Sequence, residues 1–219
     1  MRAICFSIFF LIPFFSVSQS INHVDNSGMK QGIWQKKYTN GNIRYVGTFK
    51  DNKEIGLFRY FYEDGSLKLE KIFFHNSTAA SAHFYYKNGD IKSSGLYVNS
   101  LKDSTWNYYD FDSILIMTEQ YKNGKLNGVT KTFYNEGTIY EVKNWSDNIL
   151  NGVWKQFYLN GNLKMKAFYK NNKREGEEFY YFSNGNILSS GFYKDNLKIG
   201  TWKYYFEDGT IDTTINYNE

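Results

Sequence analysis

The sequence predicts an all-β protein: an elongated, twisted, single-layer antiparallel meander of tandem β-hairpins, made of eight 24-residue repeats. Three observations predict it. Gly32, Gly56, Gly128, Gly152, Gly176 and Gly200 fall on one 24-residue grid, and Gly41, Gly65, Gly89, Gly137, Gly161, Gly185 and Gly209 fall on a second. Aromatic residues make up 20% of the chain and keep the same phase, whereas proline occurs once. Each unit carries two polar turn signals separated by segments of seven or eight residues, too short and too aromatic for helices.

Taken in chain order, the first element is a leader. Arg2 precedes an uncharged, mostly apolar run from Ala3 to Val17, and Ser16 and Ser18 supply the small residues of a cleavage site. Residues 1–18 are therefore expected to be a secretory signal peptide and the protein to be exported: periplasmic, envelope-associated or extracellular. Cys5 and Pro13 both lie in this run, so the mature chain has no disulfide and depends on packing and strand pairing. Removing Arg2 lowers the formal charge from +4 to +3, too little to steer a partner. Residues 19–31 are polar and placed to cap the first unit. The array follows over residues 32–219, with repeats starting at Gly32, Gly56, Ala80, Ser104, Gly128, Gly152, Gly176 and Gly200. The last strand, over residues 211–217, has no evident cover.

Within a unit the second glycine is preceded by Asn, Asp or Glu throughout. Asn-Gly and Asp-Gly steps are the strongest short-range hairpin signal, because both residues tolerate positive φ. Two residues beyond that glycine stands an aliphatic residue in all eight units, Ile43 to Ile211. Six further on stands an aromatic one, Phe49 to Tyr217. With two-residue turns, Tyr62 faces Leu67 and Tyr158 faces Leu163 on a dense face. Phe61 then faces Lys68, and Phe157 faces Lys164, on the other. A three-residue turn shifts this pairing, and the sequence leaves both open. A lone hairpin is marginal in water, so stacked neighbours must bury each other's rings.

The pattern Gly-x-Trp-x-x-(Tyr/Phe)-(Tyr/Phe)-x-Asn-Gly-x-Leu is shown by residues 152–163, and Tyr-x-Asn-Gly-Lys-x-x-Gly by residues 121–128. It resembles the bacterial variant of MORN repeats over about residues 30–219, and among bacterial proteins the YwqK-type antitoxin group. The resemblance implies twisted hairpin arrays that bind or scaffold rather than catalyse, with toxin neutralisation in some members. Unit three departs from the pattern at Ala80 and Ala82, and unit four at Asp110 and Ser113.

Chemistry-bearing residues are sparse. His23, His75 and His83 lack metal-ligand spacing and read as surface residues, and Asp and Glu mostly occupy turns. No phosphate loop or dinucleotide fingerprint occurs. The expectation is a non-enzymatic protein without cofactors. Its expected partner is a protein, with a glycan or the cell wall as the alternative; nucleic acid is not expected of an exported chain near +3. Candidate partner-binding rings are Phe61, Tyr85, Tyr109, Phe133, Phe157, Tyr181 and Tyr205, in phase and opposite the denser face. An outer-membrane barrel fits poorly, because both faces carry charge.

Overall fold

The computed structural model of the chain describes residues 20–217. The expected signal peptide lies outside the described residues.

The chain reverses by two different devices. At the hairpin tips the Asn-Gly step does not form a two-residue turn. In unit two, Gly65 N–H donates to Tyr62 O at 3.0 Å and Tyr62 N–H to Ser66 O at 2.8 Å, enclosing three residues. Gly65 takes φ of +90°, whereas Asp64 is absent from the left-handed region. Asp64 serves through its side chain instead: Oδ1 accepts Ser66 N–H at 3.0 Å. Asn40, Asn88, Asn160, Asn184 and Asp208 make the same bond. The Asn/Asp preference thus comes from an acceptor that closes the turn. Lys68 is the extra residue of a bulge that restores the register: Phe61 pairs with Leu67 and Tyr60 with Leu69. This corrects the expected facing of Tyr62 with Leu67 and of Phe61 with Lys68.

The two-residue turns lie between units instead. Asp51-Asn52, Asp147-Asn148, Asn171-Asn172 and Asp195-Asn196 all have positive φ at both residues, and Lys50 pairs with Lys53 across the first of them. Four asparagines there also grip the preceding unit. Asn172 N–H donates to Leu150 O at 2.9 Å while its Oδ1 accepts Leu150 N–H at 2.8 Å. Asn52, Asn148 and Asn196 repeat this two-bond grip on Lys30, Leu126 and Arg174.

The first-grid glycines sit at a second bulge and take positive φ, as does Ser104 in the same place. Ala80 does not, and its unit has no such bulge. Phe73 pairs directly with Ala80, and the turn before it lengthens to His75–Thr78. The residues other units spend in the bulge are spent here in the turn, which keeps the 24-residue phase.

The strands run as a meander, each antiparallel to the ones before and after, in one 20-stranded sheet. The array supplies sixteen strands, as the sequence predicts. His23–Val24 adds one by pairing with Gln31 and Lys30, and the bulge cuts three strands in two. No pairing joins Ile211–Tyr217 to the N-terminal strands, so the sheet stays open among the described residues.

One face carries the core. Across it Trp34 pairs with Gly47, Phe58 with Lys71, Ala82 with Gly95, and Trp106 with Glu119. Large and small side chains alternate between hairpins. A Cβ added at Gly47 would lie 2.2 Å from the Phe58 ring; at Gly95 and Gly191 it would lie 2.3 Å from the Trp106 and Trp202 rings. The three rings are at most 1% exposed. Burial of each stabilises the sheet by about 2–3 kcal/mol. Edge-to-face contacts, such as Tyr97 on Trp106 with centroids 5.0 Å apart, join successive strands.

Candidate functional site

The seven candidate rings are all half-buried. The register places Phe61 one residue past Tyr60, on the face opposite the core. Tyr85 accordingly donates its hydroxyl to Glu70 Oε2 at 3.1 Å, and Tyr181 stacks on Phe179 with centroids 6.2 Å apart. The backbone of these residues has a structural task of its own. Tyr38, Tyr62, Tyr86, Tyr134 and Tyr158 donate their phenols to the carbonyls of Phe61, Tyr85, Tyr109, Phe157 and Tyr181, 23 residues on, at 2.7–2.9 Å. Each bond latches one hairpin tip to the next. Phe133 and Tyr205 receive no latch, because Asp110 and Phe182 replace the tyrosine.

The tip lysines also differ from expectation. Lys68, Lys92 and Lys164 hold Nζ 5.4, 5.5 and 5.7 Å over Tyr62, Tyr86 and Tyr158, so they cover the latching tyrosines.

The core face is more polar than the sequence suggested. Lys102 Nζ lies 4.4 Å over the Trp106 ring and donates to Tyr108 OH at 2.7 Å. Lys198 lies 4.0 Å over Trp202. Glu141 accepts from Trp154 Nε1 at 2.8 Å and pairs with Lys143 at 2.6 Å. Glu178, 1% exposed, accepts the Tyr180 hydroxyl at 2.5 Å beside Arg174. A turn-based reading of acidic residues overlooked these two. The signal was there: Glu178 stands in the phase of Trp106 and Trp202. Burial pushes the Tyr60 phenol up to about 12, aided by Glu54 and Tyr45, and it raises Tyr97 and Tyr108. Burial also lowers the Lys71 and Lys102 ammoniums. These shifts accompany ring packing in the sheet. No group of three or more metal-ligating side chains occurs among the described residues.

The opposite face is open. Ile33, Leu57 and Ile72 are 38%, 40% and 48% exposed. Leu57 pairs with Ile72, and Ile33, Val46 and Leu57 line one shallow depression with Arg59 at its rim. This aliphatic strip went unnoticed in the sequence because its members alternate with the more conspicuous aromatic series.

Five segments, residues 30–51, 54–76, 150–171, 174–195 and 198–219, match the family described as MORN repeat variant. The chain belongs to this family. The unmatched stretch between residues 76 and 150 holds Ala80, Ala82, Asp110 and Ser113. There the MORN glycine, ring and latch are replaced. No curated protein matches the chain. Among solved structures it is similar to a chain in the crystal structure of TcdB2-TccC3-Cdc42, at 10% identity and a TM-score of 0.20. The match covers 83% of this chain and 12% of that one, so this chain spans about an eighth of its length. At that score the likeness carries no argument about fold or function.

Proposed function

We propose that this MORN-repeat chain is an exported, non-enzymatic scaffold that binds a protein partner at the cell envelope through its open face. The observation that carries the reading is the aliphatic strip of Ile33, Leu57 and Ile72 on a single-layer sheet whose other face supplies the core. Apolar side chains left contiguous and exposed mark interaction surfaces. Phe61 and Tyr85 lie on the same side and extend the strip toward the hairpin tips. The leader-like run over residues 1–18 supports export. A toxin as the partner rests on resemblance to the YwqK-type antitoxin group alone.

Crosslinking of the protein in intact cells, followed by fractionation and mass spectrometry, tests the reading. The expected result is an envelope-fraction partner that is lost in Leu57→Lys and Ile72→Lys at unchanged melting temperature. Equal partner recovery from both variants, or a protein found only in the cytosol, contradicts it.

A further inference from the structure

We propose that the cavity on the core side of units two to four binds a small ring-shaped acid: one six-membered ring carrying a carboxylate. The cavity, of about 180 Å³, is lined by Phe84, Tyr97, Trp106, Ser93 and the lysines Lys68, Lys92 and Lys102, with Tyr62 and Tyr85 at its edge. An apolar protein cavity of roughly 150 Å³ admits one benzene ring, so this volume suits a single ring. Trp106 is the floor: it is 1% exposed beneath Lys102 and fixes the half-buried walls, packing 5.0 Å from Tyr97 and 6.2 Å from Phe84.

Charge selects the substituent. The three lining ammoniums have no carboxylate within ion-pair distance among the described residues, and no acidic residue lines the cavity. Glu119 acts on Lys102 at longer range. A carboxylate on the bound ring would receive charge-assisted hydrogen bonds from these lysines while the ring's faces or C–H edges meet Phe84 and Tyr97.

The repeat explains the space by two small residues that coincide in unit three. Ser93 pairs with both Phe84 and Tyr108 and is 8% exposed. The corresponding residue is Leu69 in unit two, Met117 in unit four and Met165 in unit six; unit seven repeats the serine as Ser189, but there the buried Glu178 stands in the place of Ala82. Unit three also has Ala82 where Phe58 and Trp106 stand in units two and four. The proposal concerns the face opposite the aliphatic strip; Tyr85 at the edge touches both, whereas Leu57 and Ile72 belong to the protein-partner reading alone.

Titration of the full-length protein with glucuronate, benzoate and glucose, followed by ligand-observed NMR and calorimetry, tests it. We expect saturable binding of at least one of the two acids, and binding of glucose at least about tenfold weaker, the loss of one charge-assisted contact. Which acid binds tells whether the ring is saturated or aromatic. Ser93→Met, a residue the fold accommodates at positions 117 and 165, and the double variant Lys68→Gln/Lys92→Gln should each weaken binding about tenfold with the melting temperature unchanged. Lys164→Gln, the equivalent lysine of unit six, should have no effect. Absence of saturable binding by both acids, glucose binding equal to theirs, or full affinity in the double lysine variant overturns the proposal. The lysine pair decides the matter should Ser93→Met lower stability.

Discussion

Tyr158 shows how much of the array rests on single side chains. Its hydroxyl donates to Tyr181 O at 2.7 Å, tying the tip of unit six to that of unit seven. Tyr158→Phe removes one neutral hydrogen bond and should lower stability by about 1 kcal/mol in urea unfolding. The reverse change, Phe182→Tyr, offers a phenol to the unlatched Tyr205 carbonyl and should raise stability by a similar amount. Gly191 acts by having no side chain. Its φ is unexceptional, but an added Cβ would lie 2.3 Å from the Trp202 ring. Gly191→Ala should cost about 1–3 kcal/mol by overpacking. The cost should shrink when Trp202→Leu is already present, because the two residues share one space. Equal costs in both backgrounds would show that the glycine serves something other than the ring.

At the scale of one hairpin, much was legible in the sequence. The phased Gly, Asn and aromatic positions locate sixteen strands and the two turns of each unit. The turn geometry was less so. Asn40 and Asp64 carry a strong signal for a two-residue turn, yet each closes a three-residue one with its side-chain oxygen. Their positive-φ counterparts, such as Asn148 and Asn172, lie at the junctions. The face proposed for interaction was half legible: the register puts Phe61 opposite the core, while Leu57 and Ile72 emerged only from burial. Rings stacked strand on strand also make the hairpins sensitive to alkali. Burial holds Tyr60 up to about 12, against the usual 10.0, and raises Tyr97 and Tyr108. A group whose folded pKa is raised contributes stability that is complete below its unfolded pKa and lost as pH climbs through the folded one. Lys71 and Lys102, lowered by burial, work the other way, and their gain with pH is complete by their usual 10.5. The urea midpoint should therefore hold or rise slightly up to about pH 10 and fall between pH 10 and 12. A midpoint that stays level across that range would contradict the burial of these phenols.

For the whole molecule, the consequence is a division of labour between faces. Rings, lysines and buried acids on one side join each strand to the next, and substantial contacts run only between neighbouring strands. Such an array behaves as a one-dimensional chain of modules. The other side carries fewer such contacts, among them Tyr85 on Glu70 and Tyr181 on Phe179, and its aliphatic strip is the surface proposed to meet a partner. Removal of one module tests the central claim most directly. Deleting residues 152–175 takes out one full period. It joins Asn151 to Gly176, sets Lys143 opposite Glu178, and aligns the Tyr134 phenol with the Tyr181 carbonyl. The shortened protein should keep its β-type circular dichroism and unfold cooperatively. Deleting residues 152–163, half a period, should not, because the strand over residues 164–170 then meets the strand over residues 139–146 with its rings and turns out of phase and splits the array at that junction. Collapse of both proteins, or equal tolerance of both deletions, would contradict an array of phased hairpins.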